Sequence, residues 1–251
     1  MRIAHQSRGE GPPLVLLAGQ ANNHRWWDDV RVDFHAAARS TITLDYRGTG
    51  ASDEPEGPYS TREFARDVIA VLDDLGIDRA GRLRHVDGRP GGPVGGGGSP
   101  GPRPSPGPRL HHARRPPRRR HGPRPCAVPW PYGIPPRPAG PFSNLMYTPA
   151  WSASHPGPYR TLGDPDMSAR ARGRHLVASR EHDAWDALPG ITAPTLVLHG
   201  TDDVFNPAAN APLLAERIPG AGLRMIPGAR HAYFDEFRAV AGPLVLDFLD
   251  G

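Results

Sequence analysis

The chain has 251 residues, long enough to bury the core of one large domain, and carries a net charge of +4. Partitioned, that charge lies in one place: residues 81–144 hold 12 arginines against one acid, a net +11, and the remainder, with 18 basic and 25 acidic side chains, is −7. A basic surface spread over the main body is thereby excluded, and the single cysteine, Cys126, excludes disulfides and cysteine-based metal sites. No apolar run approaches the roughly 18 residues of a membrane span, and residues 1–11 lack the apolar core of a secretion signal, so a cytoplasmic protein is expected.

In chain order, Leu14-Val15-Leu16-Leu17 is a short apolar run ended by Ala18-Gly19, the pattern of a strand buried on both faces of a parallel sheet. A second strand over Thr41–Leu44 runs into the glycine-punctuated turn Asp45-Tyr46-Arg47-Gly48-Thr49-Gly50-Ala51-Ser52. Ser60-Thr61-Arg62-Glu63 reads as a capping box. It is followed by Phe64, Val68, Val71, Leu72 and Leu75 at helical spacing, with Gly76 as the C-terminal cap. Beyond residue 80 the composition breaks. Residues 81–144 hold 17 prolines and 13 glycines beside the 12 arginines, which cannot bury enough apolar surface to fold, so a disordered segment is expected there. From Leu145 to Leu188 a Trp- and Tyr-containing stretch with helical patches reads as cap and connection, taken as residues 145–190. Then come a strand over Thr195–Leu198, a helix over Ala208–Ile218 behind Pro207, a strand over Leu223–Ile226 and an amphipathic helix over Phe237–Leu249. Strands alternating with helices predict an α/β fold with a mostly parallel sheet, its halves lying in residues 1–80 and 191–251.

Four motifs carry a resemblance. Leu16-Leu17-Ala18-Gly19-Gln20, Asp45-x-Arg47-Gly48-x-Gly50-x-Ser52, Gly200-Thr201-Asp202-Asp203-Val204-Phe205-Asn206-Pro207 and Pro227-Gly228-Ala229-Arg230-His231 each say little alone, but their order and spacing are specific. The chain resembles the α/β-hydrolase superfamily in its serine esterase, enol-lactonase and proline-iminopeptidase-like branch, across about residues 2–80 and 145–250. The resemblance implies the α/β-hydrolase fold, no cofactor or metal, and a small-molecule ester or lactone substrate. It also implies His231 as general base and Asp203 as the acid that orients it, in the chain order Ser, Asp, His. Asp202 is the alternative acid, read otherwise as a turn or cap residue. Gln20 would offer its backbone N–H to the oxyanion. Asn22, Asn23, His24, Trp26 and Trp27 follow directly and could line the acyl pocket, although Trp26 and Trp27 equally suit core packing. Two departures stand out: Ala18, where the family has histidine, and the nucleophile.

The family's Gly-x-Ser-x-Gly turn should follow the strand after Ala80, where the chain instead reads Gly81-Arg82-Leu83-Arg84-His85-Val86-Asp87-Gly88-Arg89. Read one nucleotide on, a permitted GC-rich coding of Arg84–Arg89 spells Gly-Thr-Ser-Met-Gly-Gly, the serine codon straddling Val86 and Asp87. The segment therefore reads as a frame-shifted stretch, and the chain as inactive in this form. Ser99, in Gly97-Gly98-Ser99-Pro100-Gly101, matches the pattern literally, but the residue after the nucleophile must donate its N–H and Pro100 has none. Asp87 as a nucleophile fails because His85 and Arg89 stand where a tight turn needs glycine. Two further classes remain open: a non-catalytic, pseudogene-type product, and a basic interaction protein binding nucleic acid through Arg114, Arg115, Arg118, Arg119, Arg120 and Arg124. The position of that run in mid-sheet argues against the last.

Overall fold

The computed structural model describes residues 1–84, 143–157, 159 and 162–251. The expectations for residues 85–142, including the serine codon over Val86 and Asp87, the Ser99 alternative and the Arg-rich run, lie outside the described residues. The chain opens with β1 (His5–Arg8) and β2 (Pro13–Leu17), a 3-10 turn over His24–Trp27, α1 (Arg31–Ala36), β3 (Ser40–Leu44), α2 (Thr61–Asp74) and β4 (Gly81–Arg84). After the gap come α3 (Ser143–Met146), α4 (Pro149–Ser154), α5 (Ala169–Arg180) and a 3-10 segment over Trp185–Gly190. The chain closes with β5 (Leu196–Gly200), α6 (Asn210–Arg217), β6 (Gly222–Ile226), α7 (Tyr233–Glu236) and α8 (Arg238–Asp250).

Two sheets result. In the first, ordered β1-β3-β2-β4, β2 lies parallel to both β3 and β4 and only β1 runs antiparallel. In the second, β5 and β6 are parallel, with Gly200 opposite Ile226. The predicted two-faced burial of β2 is visible in where its side chains go. Leu14 and Leu16 join one apolar cluster with Leu83, Leu198 and Ile226, whereas Val15 points to the other face and packs with Ile42, Leu44 and Val68. The first of these clusters draws on both sheets and so makes one core. In the second sheet Val197 packs with Ala211 and Leu214 of α6, while its neighbour Leu198 faces the shared core.

Helix α2 begins as its sequence predicts. Ser60 is extended (φ −147°) and its Oγ accepts the Glu63 N–H at 3.2 Å. The reciprocal half of the box is replaced: the Glu63 carboxylate faces Arg47 and Arg66 instead. At the other end Gly76 is left-handed (φ +66°) and the Ile77 N–H reaches back to Leu72 O at 2.9 Å, closing the helix. Strand β1, polar and half-exposed, has no periodic signal and exists because it pairs with β3 from His5↔Leu44 to Arg8↔Thr41.

One boundary moves. The sequence reading starts the break at Gly81 and counts the central strand as replaced, but Gly81–Arg84 is strand β4, in register with β2 from Leu14↔Gly81 to Leu17↔Arg84. The reason is tertiary: Leu83, a lone apolar side chain among arginines, is 3% exposed in the core, and Gly81 lies against Leu14 and Leu249 where a Cβ would be crowded. Likewise Ser143 and Asn144 belong to α3 rather than to the break. Among the described residues no helix is long and apolar enough to cross a membrane.

Candidate active site

The sheet edge at the carboxyl ends of β5 and β6 brings together the two C-terminal motifs. Asp203 follows β5 and His231 follows β6, and because these strands are parallel their following loops emerge side by side. The crossing is close: a Cβ on Gly200 would lie 2.2 Å from Ala229 O. Backbone bonds lock the loops, with Asp202 N–H to Ala229 O at 3.0 Å and Thr201 N–H to Ile226 O at 3.0 Å.

His231 Nδ1 and Asp203 Oδ2 lie 2.7 Å apart, and the two residues are 1% and 2% exposed. The other carboxylate oxygen, Oδ1, accepts the Asn206 N–H at 2.8 Å. Burial alone would raise the Asp203 pKa, but the His231 charge and hydrogen bond, the nearby His199 and the Asn206 N–H together hold it below the ordinary aspartate value. An ionised carboxylate against Nδ1 fixes the tautomer, so that Nε2 is the nitrogen able to exchange a proton. The Phe205 ring packs against the imidazole at 4.7 Å, and Tyr233 donates to Leu198 O at 3.0 Å, fastening the segment beyond His231 to β5. Asp202 is exposed and accepts from Thr201 Oγ1 at 2.8 Å; its side chain serves the turn.

His199 was not singled out from sequence. Its Nε2 lies 2.8 Å from Asn206 O and 3.4 Å from Asp203 Oδ2, and burial pulls its pKa down, against the raising effect of Asp203. The available signal was a histidine inside the apolar run Leu196–Gly200, since a polar group so placed needs a buried partner.

At the end of β2, Ala18 is buried in the shared core with Ala229 and Ala232, which flank the His231 turn, so the loop carrying Gln20 borders the same region. The neighbouring pocket candidates have structural partners. Asn22 is 3% exposed, donates to Gln20 O at 3.1 Å and accepts from Gly163 N–H at 2.9 Å. His24 binds Asp45 Oδ1 through both its N–H and its Nδ1, at 2.8 Å each. Asn23 caps the 3-10 turn through Arg25 N–H, and Trp26 and Trp27 are buried edge to face in the core. The second motif folds around Asp45, whose Oδ2 accepts Ala51 N–H at 2.9 Å; Gly50 (φ +50°) passes so near that a Cβ would strike the carboxylate. Arg47 forks onto Asp67 with two bonds of 2.7 Å, and this pairing raises its pKa.

No family model matches the chain. Among curated proteins it is similar to RutD of Azorhizobium caulinodans, assigned as a carbamate hydrolase, with 27% identity over 98% of this chain and 94% of that one. Among solved structures it is similar to an esterase from Exiguobacterium antarcticum (TM-score 0.72, 20% identity, 99% of this chain and 96% of that one). An enol-lactonase from Burkholderia xenovorans LB400 matches almost equally (TM-score 0.71, 20% identity, with the same coverage). The chain thus has the α/β-hydrolase fold and is similar, along nearly its whole length, to a hydrolase of that kind.

Proposed function

We propose that the chain is built as a serine hydrolase cleaving a carboxylic ester, lactone or similar acyl bond through an acyl-enzyme, and that in its present form it is inactive for want of the Gly-x-Ser-x-Gly turn. The observation that carries the reading is the buried Asp203–His231 pair at 2.7 Å. In the intact site His231 Nε2 takes the serine proton as Oγ attacks the carbonyl carbon. Negative charge collects on the carbonyl oxygen, where the Gln20 N–H donates. The imidazolium then returns the proton to the departing alcohol, and water repeats the sequence on the acyl-enzyme. Asp203 orients the ring and stabilises its charged form. Relatives named for ester, lactone and carbamate substrates support an acyl bond as the target.

The sheet supports a place for the serine. Strand β4 (Gly81–Arg84) is hydrogen-bonded beside β2, and the family's turn would come directly after such a strand, where one permitted coding in the shifted frame spells Gly-Thr-Ser-Met-Gly-Gly. The absence of a usable elbow in the written frame favours a second reading, a non-catalytic product of a disrupted gene.

The test has two arms: sequence the nucleotides of codons 80–145, and assay the chain and its frame-restored counterpart on a short aryl ester. Restored turnover together with an inactive present form is expected. An alternative frame interrupted by stop codons, or His231-dependent turnover by the chain unaltered, would overturn the proposed loss.

A further inference from the structure

Ala21 is one of two non-glycine residues with a left-handed backbone among those described, at φ +57°. An alanine there is strained, and such strain persists only where surrounding contacts impose the conformation. Both of its peptide groups are held, and by the same distant segment. Asp164 N–H donates to Ala21 O at 2.7 Å, and Ala21 N–H donates to His175 Nδ1 at 3.4 Å. On its other side His175 Nε2 lies 2.9 Å from Arg47 O. Since Nδ1 accepts from an amide and Nε2 faces a carbonyl, the imidazole is neutral with its proton on Nε2. The ring is 1% exposed, tilted against Phe64 at 4.8 Å and edge-on to Tyr59 at 5.6 Å. Two more bonds run in parallel, Gly163 N–H to Asn22 Oδ1 at 2.9 Å and Gly50 N–H to Asp164 Oδ2 at 2.6 Å. Residues 163–175 are thus fastened to the loops after β2 and after β3 together.

We propose that His175 of α5 is a positioning residue for the loop that carries Gln20: it holds the Ala21 amide in its left-handed state and ties that loop to the Arg47 turn. Gln20 immediately precedes Ala21, so a change in the φ of Ala21 swings the peptide that joins them and, through it, the Gln20 backbone. The catalytic consequence rests on the oxyanion role proposed above for Gln20; the clamp itself does not.

Two substitutions separate its halves. His175→Asn keeps an acceptor near the Nδ1 position, whereas His175→Gln keeps a donor near the Nε2 position and loses the acceptor. Hydrogen exchange of the Ala21 amide, measured by NMR on the full chain, should speed up at least ~10-fold in His175→Gln and stay within about threefold of the unaltered chain in His175→Asn. Two-bond proton–nitrogen spectra of the unaltered chain should show His175 protonated at Nε2. In the frame-restored protein, kcat on an aryl ester should fall in the Gln variant at unchanged KM and recover in the Asn variant. Equal exchange of Ala21 in the two variants, or a proton on Nδ1, overturns the clamp whatever the turnover. If exchange separates as expected and no form of the protein hydrolyses the ester, the functional reading fails and the clamp stands. Should neither variant fold, the His175 tautomer decides.

Discussion

Gly200 passes the Ala229 carbonyl so closely that any side chain at 200 would collide with it: an added Cβ would lie 2.2 Å from Ala229 O and 3.0 Å from Arg230 O. The obstacle is backbone on both counts, so it cannot rotate away. Gly200→Ala should therefore push the His231 turn off the end of β5, costing about 1–3 kcal/mol in urea unfolding, the usual range for an overpacked site. The His231 ring resonances should shift as its bond to Asp203 lengthens. An unchanged unfolding midpoint with unshifted His231 resonances would mean the crossing is looser than the structure has it.

The two neighbouring aspartates should behave oppositely. In the frame-restored protein Asp203→Ala and His231→Ala should each cut aryl-ester turnover by roughly 10⁴-fold, because an acid and base that act as one unit fail together. Asp202→Ala removes only an exposed turn contact with Thr201 and should leave kcat within about threefold. Sensitivity at Asp202 with silence at Asp203 would reverse the assignment.

Away from the site, the buried fork of Arg47 on Asp67 is the charged contact whose loss should be felt most in stability. Asp67→Ala strands a guanidinium that is mostly enclosed and should cost about 3–5 kcal/mol. Glu63→Ala breaks a longer, half-exposed contact of 3.4 Å to the same arginine and should cost no more than about 1 kcal/mol. Equilibrium denaturation of the two variants makes the comparison; equal losses would contradict it.

Stability should fall in two steps as pH is lowered. His175 and His199 have pKa values pulled below the ordinary histidine value, chiefly by burial, so the unfolded chain binds protons more readily than the folded one. Their contribution is complete above the unfolded value of about 6.5 and is lost as pH falls below it. Asp203 is also depressed, by His231 and its other partners outweighing burial, so its contribution is complete above about 3.9 and is lost as pH falls through its lower folded pKa. Urea midpoints should show the first step between pH 8 and pH 5 and the onset of the second below about pH 3.9. His199→Asn should shrink the first and Asp203→Asn the second; a flat profile from pH 8 to pH 5 would contradict the histidine step.

Much of the fold is legible in the sequence because burial leaves a period in it. The two-faced run Leu14–Leu17, the capped helix ending at Gly76 and the strand–helix–strand order on either side of Pro207 follow from local patterns, within one or two residues of the observed bounds. So do the places of Asp203 and His231, each just beyond an apolar strand in a motif with its own spacing. Tertiary structure alone decides what those patterns leave open. Strand β1 has no period of its own and forms only against β3, and β4 is drawn from an arginine-rich stretch because Leu83 finds the core and its backbone finds β2. Adjacency to Gln20 marks Asn22, His24 and Trp26 as pocket candidates, but it does not reveal that Gly163, Asp45 and the core engage them, partners that lie 141 residues away in the case of Asn22 and 21 in the case of His24. His175 meets Ala21 across 154 residues. A hydrophobic period is a local consequence of which side of an element faces water. A hydrogen bond between distant loops has no local consequence to read, and it exists only once the chain has folded.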